Sequence, residues 1–522
     1  MERRFHEVPM CPNRLYVLVI AVTLALFPVA VQAQNVLTWH NDNSRTGQNL
    51  KETILTPANV NTAQFGKILS LPVDGQILGQ PLYATNLKIA GGTHNVVWVA
   101  TENDSVYAFD AGGNPATPLW QQSFIDPSAG VTTVPCADVQ ICGVISPVVG
   151  ITSTPVLDGA NATLYVVALT LENGNYVERL HALSATTGAE EFGGPVVIEA
   201  SVPGTGAGSV SGVVAWDSGA QLQRAALLLA DGVVYIASAS YGGDQGPYHG
   251  WVLGYAANTL AQVGVFNVSP NARQGGIWGS GGGPVASADG YIYVLTANGL
   301  FDASSGGVDY GDSFLKLSTS GGLSVADYFT PDNQMTLDTQ DIDLGAGTGM
   351  ILPAAASGPD QEILGAGKQG ILYVVNTSDM GMFNATSNDV IQTVNGSTVM
   401  CPGGTGSPAY FNNAVYYSGC GDSINMFSVS AGLLSTSPVS QSPAKYPVGS
   451  TPSISANGST NGILWAISSQ STSSVLHAYN ASNLADELYK TLLPVTHYAV
   501  PTVAGGRVYI GTNNALLVYG LL

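Results

Sequence analysis

A run of six residues, in which aliphatic, β-branched and aromatic side chains are followed by turn formers, occurs eight times along the chain. Runs of this composition predict β-strands. The first residues of the eight copies are Val106, Leu180, Val252, Phe314, Leu372, Ile424, Leu476 and Leu516. They lie 74, 72, 62, 58, 52, 52 and 40 residues apart. A near-period of this size indicates a repeat protein, and repeats of several short strands are typical of propeller blades.

Each copy has the same neighbours. An inner strand precedes it and, in seven of the eight units, begins at a proline, mostly after a small residue; a strand accepts proline only at its first residue or its edge. These prolines are Pro81, Pro155, Pro284, Pro353, Pro408, Pro452 and Pro501, and the third repeat has Arg224-Ala225 in that place. A second strand, the six-residue copy and an outer strand complete each unit. The pattern predicts antiparallel blades of four strands.

The last unit has no outer strand, and one strand near the N-terminus has no unit. The six-residue copy at Leu516 is followed only by Leu522, whereas the strand-like run 66–71 precedes the first inner strand. Pairing the two would remove the exposed edges that invite aggregation. We therefore predict an all-β, eight-bladed β-propeller of four-stranded antiparallel blades, closed by pairing the N-terminal strand with the last blade.

Long connections fall on one side of this predicted ring. In a propeller, the loops that join an outer strand to the next inner strand lie on the same face of the ring as the loops that join second and third strands. We call this face the loop-rich face. The longest span residues 125–151, 201–220, 269–282 and 331–349. Long loops on a rigid scaffold are where binding sites are built. We expect the functional site on the loop-rich face.

Residues 1–33 have the features of a secretory signal peptide. Arg3, Arg4 and Arg14 form a basic region, residues 15–29 are apolar, and Ala33 precedes the predicted cleavage. A retained membrane anchor is the alternative, but the run is short and Pro28 interrupts its end. The sequence thus predicts a signal peptide at 1–33 and a single propeller at 34–522. We expect a secreted or periplasmic protein with no membrane anchor after cleavage.

The net charge limits the classes of binding partner, and the cysteine content distinguishes disulfides from a metal site. The net charge is −20, and removal of residues 1–33 makes it −21, which argues against binding nucleic acid. Four cysteines follow the predicted cleavage, and no CxxC or HxH motif is present, so disulfides are favoured over a metal site. Cys136 and Cys142 share one loop, while Cys401 and Cys420 lie on one face of the sixth blade. We predict these two pairs.

The repeat Val106-Tyr107-Ala108-Phe109-Asp110-Ala111 resembles the PQQ-type propeller repeat, as does the continuation Ala185-Thr186-Thr187-Gly188-Ala189. Trp39, Asn41-Asp42, Arg45 and the run 55–60 are similar to the lead-in of the quinoprotein alcohol dehydrogenases. The resemblance covers the mature chain and implies eight blades, with PQQ and calcium as the family's cofactors. The chain lacks the two adjacent cysteines that these dehydrogenases carry beside the quinone.

Five residues of the loop-rich face are candidates for ligand binding. Lys368 lies in Gly365-Ala366-Gly367-Lys368-Gln369-Gly370, which we interpret as a hairpin turn because a strand, not a helix, follows. Asp244 and His249 lie in one long connection; a loop-stabilising hydrogen bond is the alternative role of the histidine. Trp278 could stack on a planar ligand or pack against a loop. Arg224 replaces a small residue near the axis, with a structural ion pair as its alternative.

Four loop carboxylates, Asp309, Asp312, Asp341 and Asp343, are candidate oxygen ligands for calcium, against the alternative of hydrated loop acids. No hydrolase elbow, phosphate loop or zinc helix motif occurs, so the sequence assigns no catalytic residue. The sequence therefore favours a protein that binds or scaffolds a protein or carbohydrate ligand outside the cytoplasm. A PQQ-dependent dehydrogenase that oxidises an alcohol or sugar is the alternative, and a polysaccharide-active propeller is the second alternative.

Overall fold

The eight six-residue copies lie in the third strands of eight four-stranded antiparallel blades, as the sequence predicts. The computed structural model describes residues 1–2, 34–113, 116–242, 244, 246–358, 360–397, 406–470 and 472–522. Residues 3–33 of the predicted signal peptide and Cys401 lie outside the described residues. Within those residues, none of the helices has the length and apolar character needed to cross a membrane.

Blades 1 to 4 contain the following strands. Blade 1 contains Leu82–Ile89, Gly92–Ala100, Ser105–Asp110 and Trp120–Ser123. Blade 2 contains Val156–Asp158, Thr163–Glu172, Asn175–Ser184 and Val196–Val197. Blade 3 contains Gln221–Leu222, Leu228–Ala230, Val233–Ser240, Trp251–Ala256 and Gln262–Asn267. Blade 4 contains Val285–Ala286, Tyr291–Leu295, Phe314–Ser318 and Ser324–Thr330.

Blades 5 to 8 follow the same order. Blade 5 contains Met350–Ile351, Glu362–Ala366, Ile371–Asn376 and Gln392–Asn395. Blade 6 contains Ala409–Phe411, Ala414–Tyr417, Asn425–Ser430, Leu433–Leu434 and Ser440–Gln441. Blade 7 contains Ser453–Asn457, Thr460–Ser469, Ser474–Asn480 and Asn483–Leu493. Blade 8 contains Thr502–Ala504, Arg507–Gly511, Ala515–Leu521 and the N-terminal strand Phe65–Pro72.

The pairing that completes blade 8 is the predicted closure of the ring. Phe65–Pro72 runs antiparallel to Ala515–Leu521, with Phe65 opposite Leu521 and Pro72 opposite Ala515. The first and last strands of the propeller thus share one blade. Because each occupies an edge that would otherwise be unpaired, this pairing protects both from association with another chain.

The hydrophobic core lies between the blades. Eight groups of buried apolar side chains lie at the junctions of neighbouring blades, one at each junction, and two further groups lie elsewhere among the described residues. At the junction of blades 8 and 1, Tyr83 and Val97 pack against Tyr509 and Val518. Each such side chain contributes about 1.5–3 kcal/mol on burial. Every blade is therefore sandwiched by two others, and none can bury both its faces alone.

The long connections of the loop-rich face carry elements of their own. They are the single-turn helices Pro127–Ala129, Gly279–Gly281, Ala303–Ser305 and Leu344–Ala346, the helix Gln334–Thr339, and the short strands Val131–Thr132, Val134–Pro135, Val148–Val149, Ser201–Pro203 and Val213–Ala215. The strand Met382–Phe383 extends blade 4. These connections therefore contain regular secondary structure.

A segment that precedes the first blade, Val36–Glu52, follows the inner strands around the propeller, and we call it the axial segment. It hydrogen-bonds to the inner strand of each blade in turn. The protein partners in blades 1 to 8 are Tyr83, Leu157, Leu229, Ala286, Ile351, Tyr410, Ile454 and Val503. Its strand Gln48–Asn49 pairs in parallel with blade 7. The sequence pattern did not indicate this role.

Arg45 is the most deeply engaged residue of the axial segment. Its side chain is fully buried, and its guanidinium donates to Pro284 O (2.9 and 3.1 Å), Leu227 O (3.3 Å), Trp39 O (2.9 Å) and Thr38 Oγ1 (2.7 Å). It therefore joins blades 3 and 4 to the axial segment. The same segment turns back at Gly47 (φ 71°), where a Cβ atom would lie 2.3 Å from the His40 ring. Only glycine fits there.

Replacing Arg45 with methionine should destabilise the whole propeller. Arg45→Met leaves three buried carbonyl oxygens and one hydroxyl without their donor, and each such loss costs about 1 kcal/mol or more. We expect the free energy of unfolding, measured by urea denaturation, to fall by about 3–5 kcal/mol. Arg273→Met, at an exposed arginine, should change it by less than about 0.5 kcal/mol. Equal stability of the two variants would mean that the axial segment does not hold the ring.

One predicted disulfide is present and the other remains a prediction. Cys136 and Cys142 are bonded, with their Cα atoms 4.9 Å apart. Cys420 takes part in a disulfide, but Cys401 lies outside the described residues. Non-reducing peptide mapping should return a Cys401–Cys420 peptide beside the Cys136–Cys142 loop. Four free thiols, or crossed pairs, would contradict both assignments.

Candidate functional site

A cavity of about 350 Å³ opens on the loop-rich face near the propeller axis, and we call it the axial cavity. Its lining comes from connections of several blades. The lining residues are Leu78, Ile141, Val144, Ile145, Leu222, Arg224, Gly242, Asp244, Trp278, Ser280, Asp341, Asp343, Ala346, Lys368 and Tyr498. The cavity falls in the size range of small-molecule sites. It brings together six of the nine residues that the sequence singled out.

Lys368 is held by two of these six residues. Its Nζ lies 2.6 Å from Asp343 Oδ2, 2.9 Å from Asp341 Oδ1 and 3.2 Å from Asp341 O. Burial alone would lower the pKa of Lys368, but Asp343 and Asp341 raise it above its ordinary value. The lysine therefore stays charged. The turn that carries it joins Glu362–Ala366 to Ile371–Asn376, which confirms the hairpin interpretation of the glycine-rich run.

Arg224 lies in an interruption of the inner strand of blade 3. Gln221–Leu222 and Leu228–Ala230 both pair with Val233–Ser240, and the arginine lies in the bulge between them, not at the start of a strand as its place in the repeat predicts. Burial lowers the pKa of its guanidinium to about 10, and the Glu102 carboxylate opposes that shift. Arg224 is consequently a cation at neutral pH.

Two oxygen atoms that are unpaired among the described residues lie next to Lys368, Asp341 and Asp343, which we call the Lys368 group. The sequence analysis singled out one of the two residues that carry them, Asp312, but not the other, Asn298. Asn298 Oδ1 and Asp312 Oδ2 are buried and have no hydrogen-bond partner among the described residues. The Asn298 backbone donates to Asp343 Oδ1 (3.1 Å), and its amide donates to Asp341 Oδ1 (3.0 Å). Asp312 Oδ1 accepts from Leu344 N (3.0 Å). Oxygen donors of this kind are calcium-type ligands.

The remaining predicted residues lie elsewhere. His249 is buried, and its ring nitrogens contact Ser269 O (3.0 Å) and Ala207 O (2.8 Å), so it ties two loops together and does not line the axial cavity. Asp309 accepts from Asn271 N (3.0 Å) in the same region. In the described ranges no group of three or more His, Cys, Asp and Glu side chains has a metal-binding arrangement. The four predicted carboxylates therefore do not converge as one set.

The apolar side of the axial cavity comes from the disulfide loop of residues 133–149. Ile141, Val144 and Ile145 line the cavity, and the loop packs its buried side chains on Leu78, Leu222 and Tyr241. Half-buried Trp278 contacts the same group. The Cys136–Cys142 bond closes the turn that presents Ile141. The disulfide thus supports the cavity wall.

A pair of buried carboxyl groups beside the cavity escaped the sequence analysis, although Thr101-Glu102-Asn103-Asp104 is an acidic turn on the predicted loop-rich face. Glu102 Oε2 accepts from Gly150 N (2.9 Å) and Thr152 Oγ1 (3.0 Å), and burial raises its pKa to about 7. Both carboxyl oxygens of Asp104 are buried without a partner among the described residues. Burial, and then the charges of Glu102 and Asp74, raise the Asp104 pKa well above its usual range.

Three solved structures share this architecture. A quinohemoprotein alcohol dehydrogenase from Comamonas testosteroni is 14% identical, with 94% of this chain and 80% of that chain covered and a TM-score of 0.56. The quinohemoprotein alcohol dehydrogenase ADHIIG from Pseudomonas putida HK5 is 13% identical, with the same coverage and a TM-score of 0.59. A europium-containing methanol dehydrogenase is 12% identical, with 94% and 98% covered and a TM-score of 0.59.

These similarities confirm the predicted fold. The chain is an eight-bladed propeller of the type found in quinoprotein alcohol dehydrogenases. At identities of 12–14% they show the fold alone. No protein-family model matches the chain, and none of the curated proteins matches it. Function therefore has to be argued from the site.

The Asp104 carboxyl should make stability depend on pH. In the unfolded chain this carboxyl ionises above about pH 4, whereas the folded protein keeps the proton, so stability falls by about 1.4 kcal/mol per pH unit until the folded pKa is reached. Asp104→Asn does not titrate and keeps the left-handed backbone (φ 54°) that asparagine tolerates. We expect the variant to melt above the wild type at pH 8, with a gap that narrows towards pH 5.

Asp231→Asn is the matched control, because Asp231 has a similar left-handed φ of 49° but is exposed. Its carboxylate is hydrated in both states, so its melting temperature should follow the wild type at every pH. A constant gap between Asp104→Asn and the wild type from pH 5 to pH 8 would contradict the burial of an uncompensated carboxyl.

Proposed function

We propose that the axial cavity binds a planar quinone cofactor together with a metal cation, and that the protein is an exported quinoprotein-type oxidoreductase acting on an alcohol or sugar. The fold is that of proteins described as quinohemoprotein alcohol dehydrogenases and as a methanol dehydrogenase. The observation that supports this activity most is the presence, in and next to one cavity, of an indole, two cations and two unpartnered buried oxygens.

The residues present fit such a group by their chemistry. Trp278 offers a flat aromatic surface, and Arg224 and Lys368 offer positive charge to an anionic quinone. Asn298 Oδ1 and Asp312 Oδ2 are hard oxygen donors without protein partners, the kind that a calcium or lanthanide ion prefers. A bound quinone would supply a two-electron acceptor. The residues of this chain would bind and orient it.

The apolar wall would serve the same purpose. Ile141, Val144 and Ile145 keep water from one side of the cavity, which strengthens every electrostatic contact inside it. Export is supported by the basic and apolar pattern of residues 1–33 and by the Cys136–Cys142 disulfide, which is typical of oxidising compartments.

Binding without catalysis is a second candidate, favoured by the state of Lys368. Its ammonium has three N–H groups and three oxygen contacts, with Asp341 and Asp343. The lysine thus already neutralises carboxylates that a metal ion would otherwise attract. In that case the axial cavity would take an organic ligand alone, in agreement with the binding role that the sequence favours.

Titration with PQQ distinguishes the two candidates. We expect the full-length protein to bind PQQ stoichiometrically in calorimetry when Ca²⁺ or Eu³⁺ is present, with micromolar or tighter affinity, and to reduce an artificial dye with an alcohol. Asp312→Asn should weaken this cation-dependent binding about tenfold or more, because it replaces a carboxyl oxygen with an amide nitrogen, which does not bind a hard cation.

Asp309→Asn is the control, because Asp309 is a buried carboxylate of the same connection but contacts Asn271 and not the Lys368 group. It should leave PQQ affinity unchanged. The absence of PQQ binding with either cation would refute the quinoprotein proposal and favour binding without catalysis.

A further inference from the structure

Arg224 differs from the other cation of the axial cavity in its hydrogen bonds. A guanidinium has five N–H donors. The structure gives Arg224 one hydrogen bond, from Nη1 to Thr152 O at 3.3 Å, and no second partner among the described residues. Its remaining donors are available to the cavity that it lines. Lys368, in contrast, has a protein oxygen for each of its three N–H groups.

The surroundings hold this guanidinium in place without neutralising it. The Tyr498 ring centroid lies 6.0 Å from Arg224 Cζ. Gly281 (φ 88°) lies so close that a Cβ atom would be 2.4 Å from Arg224 Nη2. Glu102 and the Tyr498 phenol are the two acidic groups whose charge acts on the arginine, and no ion pair joins Arg224 to Glu102. Burial raises the Glu102 pKa to about 7, so its own charge is incomplete at neutral pH.

A buried guanidinium with free donors is a strong receptor for a planar anion, because a carboxylate accepts two parallel N–H···O bonds from it. The walls around it are mostly apolar and come from Leu78, Ile141, Val144, Ile145, Leu222 and Ala346. The cavity volume of about 350 Å³ lies within the size range of small-molecule sites. The chemistry that matches both features is a carboxylate attached to an apolar or aromatic body.

We propose that Arg224 makes the axial cavity a receptor for organic carboxylates, with the guanidinium binding the carboxylate and the apolar wall covering the rest of the ligand. The inference names the ligand chemistry of the site and rests on the proposed function in taking that cavity as the binding site. Such a carboxylate can belong to the quinone cofactor or to a separate acid, and the experiment has an arm for each.

The first arm uses 2-naphthoate and its neutral amide, 2-naphthamide, on the full-length protein without cofactor or added metal. We expect calorimetry to show at least about tenfold tighter binding of the carboxylate, the factor that one charge-assisted hydrogen bond supplies. Arg224→Gln should abolish that preference, and Arg224→Lys should retain part of it, because lysine keeps the charge but not the paired donors. Arg273→Gln, which removes an exposed arginine outside the cavity, should retain all of it.

The second arm measures PQQ with Ca²⁺ against the same variants. A preference for naphthoate over naphthamide that disappears in Arg224→Gln supports the inference. If PQQ does not bind although that preference is present, only the quinoprotein proposal is refuted. PQQ affinity that drops about tenfold in Arg224→Gln also supports the inference and assigns the carboxylate to the cofactor.

Two outcomes overturn the inference. One is equal binding, or no binding, of naphthoate and naphthamide together with unchanged PQQ affinity in Arg224→Gln, which leaves the quinoprotein proposal intact. The other is a carboxylate preference that persists in Arg224→Gln. A thermal melt checks that each variant folds. If Arg224→Gln does not fold, the inference is tested by comparing naphthoate with naphthamide on the wild type and on Arg224→Lys.

Discussion

The inner strands of a propeller present an unpaired backbone edge to the axis, and burying that edge without partners would cost several kilocalories per mole. The axial segment meets this constraint, since Val36–Glu52 hydrogen-bonds to the inner strand of every blade. Much else depends on it. Arg45 saturates the carbonyl oxygens of blades 3 and 4, and Trp39 packs on Ala226 and Val500. Trp39 also lies against Gly282, in the loop that brings Trp278 and Ser280 to the axial cavity.

The fold could be predicted because its elements repeat. Eight copies of one strand pattern, seven prolines at inner strands, an unmatched strand near the N-terminus and a missing outer strand in the last unit lead to a closed ring of eight blades. The axial segment could not be predicted in the same way. It makes single contacts with eight different partners, so it has no period, and Asn43, Arg45 and Asn49 have the composition of an ordinary polar loop.

The sequence could predict which residues lie at the site, but not how those residues are hydrogen-bonded there. Arg224, Asp244, Trp278 and Lys368 were singled out by rarity or position in the repeat, and the structure places all four on one cavity. Their hydrogen bonds depend on loops folding over one another, which spacing does not encode. The free donors of Arg224 and the saturated ammonium of Lys368 are therefore visible only in three dimensions. His249 shows the opposite case, because a histidine in a long connection proved to be a tie between two loops.

Charge acts on two scales in this protein. The chain carries a net charge of −20, which slows the approach of any anion over long distances. Inside the axial cavity the Arg224 guanidinium acts at short range, where the surrounding medium screens little, whereas Lys368 is already paired with Asp341 and Asp343. A ligand is thus selected by contact and not by attraction from afar.

The closure of blade 8 also has a consequence for how the chain reaches its native state. Phe65–Pro72 and Ala515–Leu521 are separated by more than 440 residues, and contacts between such distant segments form late and slowly. During synthesis, the N-terminal strand and the axial segment emerge first, yet their partners in blade 8 emerge last. Until then, the early blades expose the apolar faces that their neighbours will cover. Until blade 8 has been made, the ring therefore stays open, and its strand edges remain exposed to association with other chains during that interval.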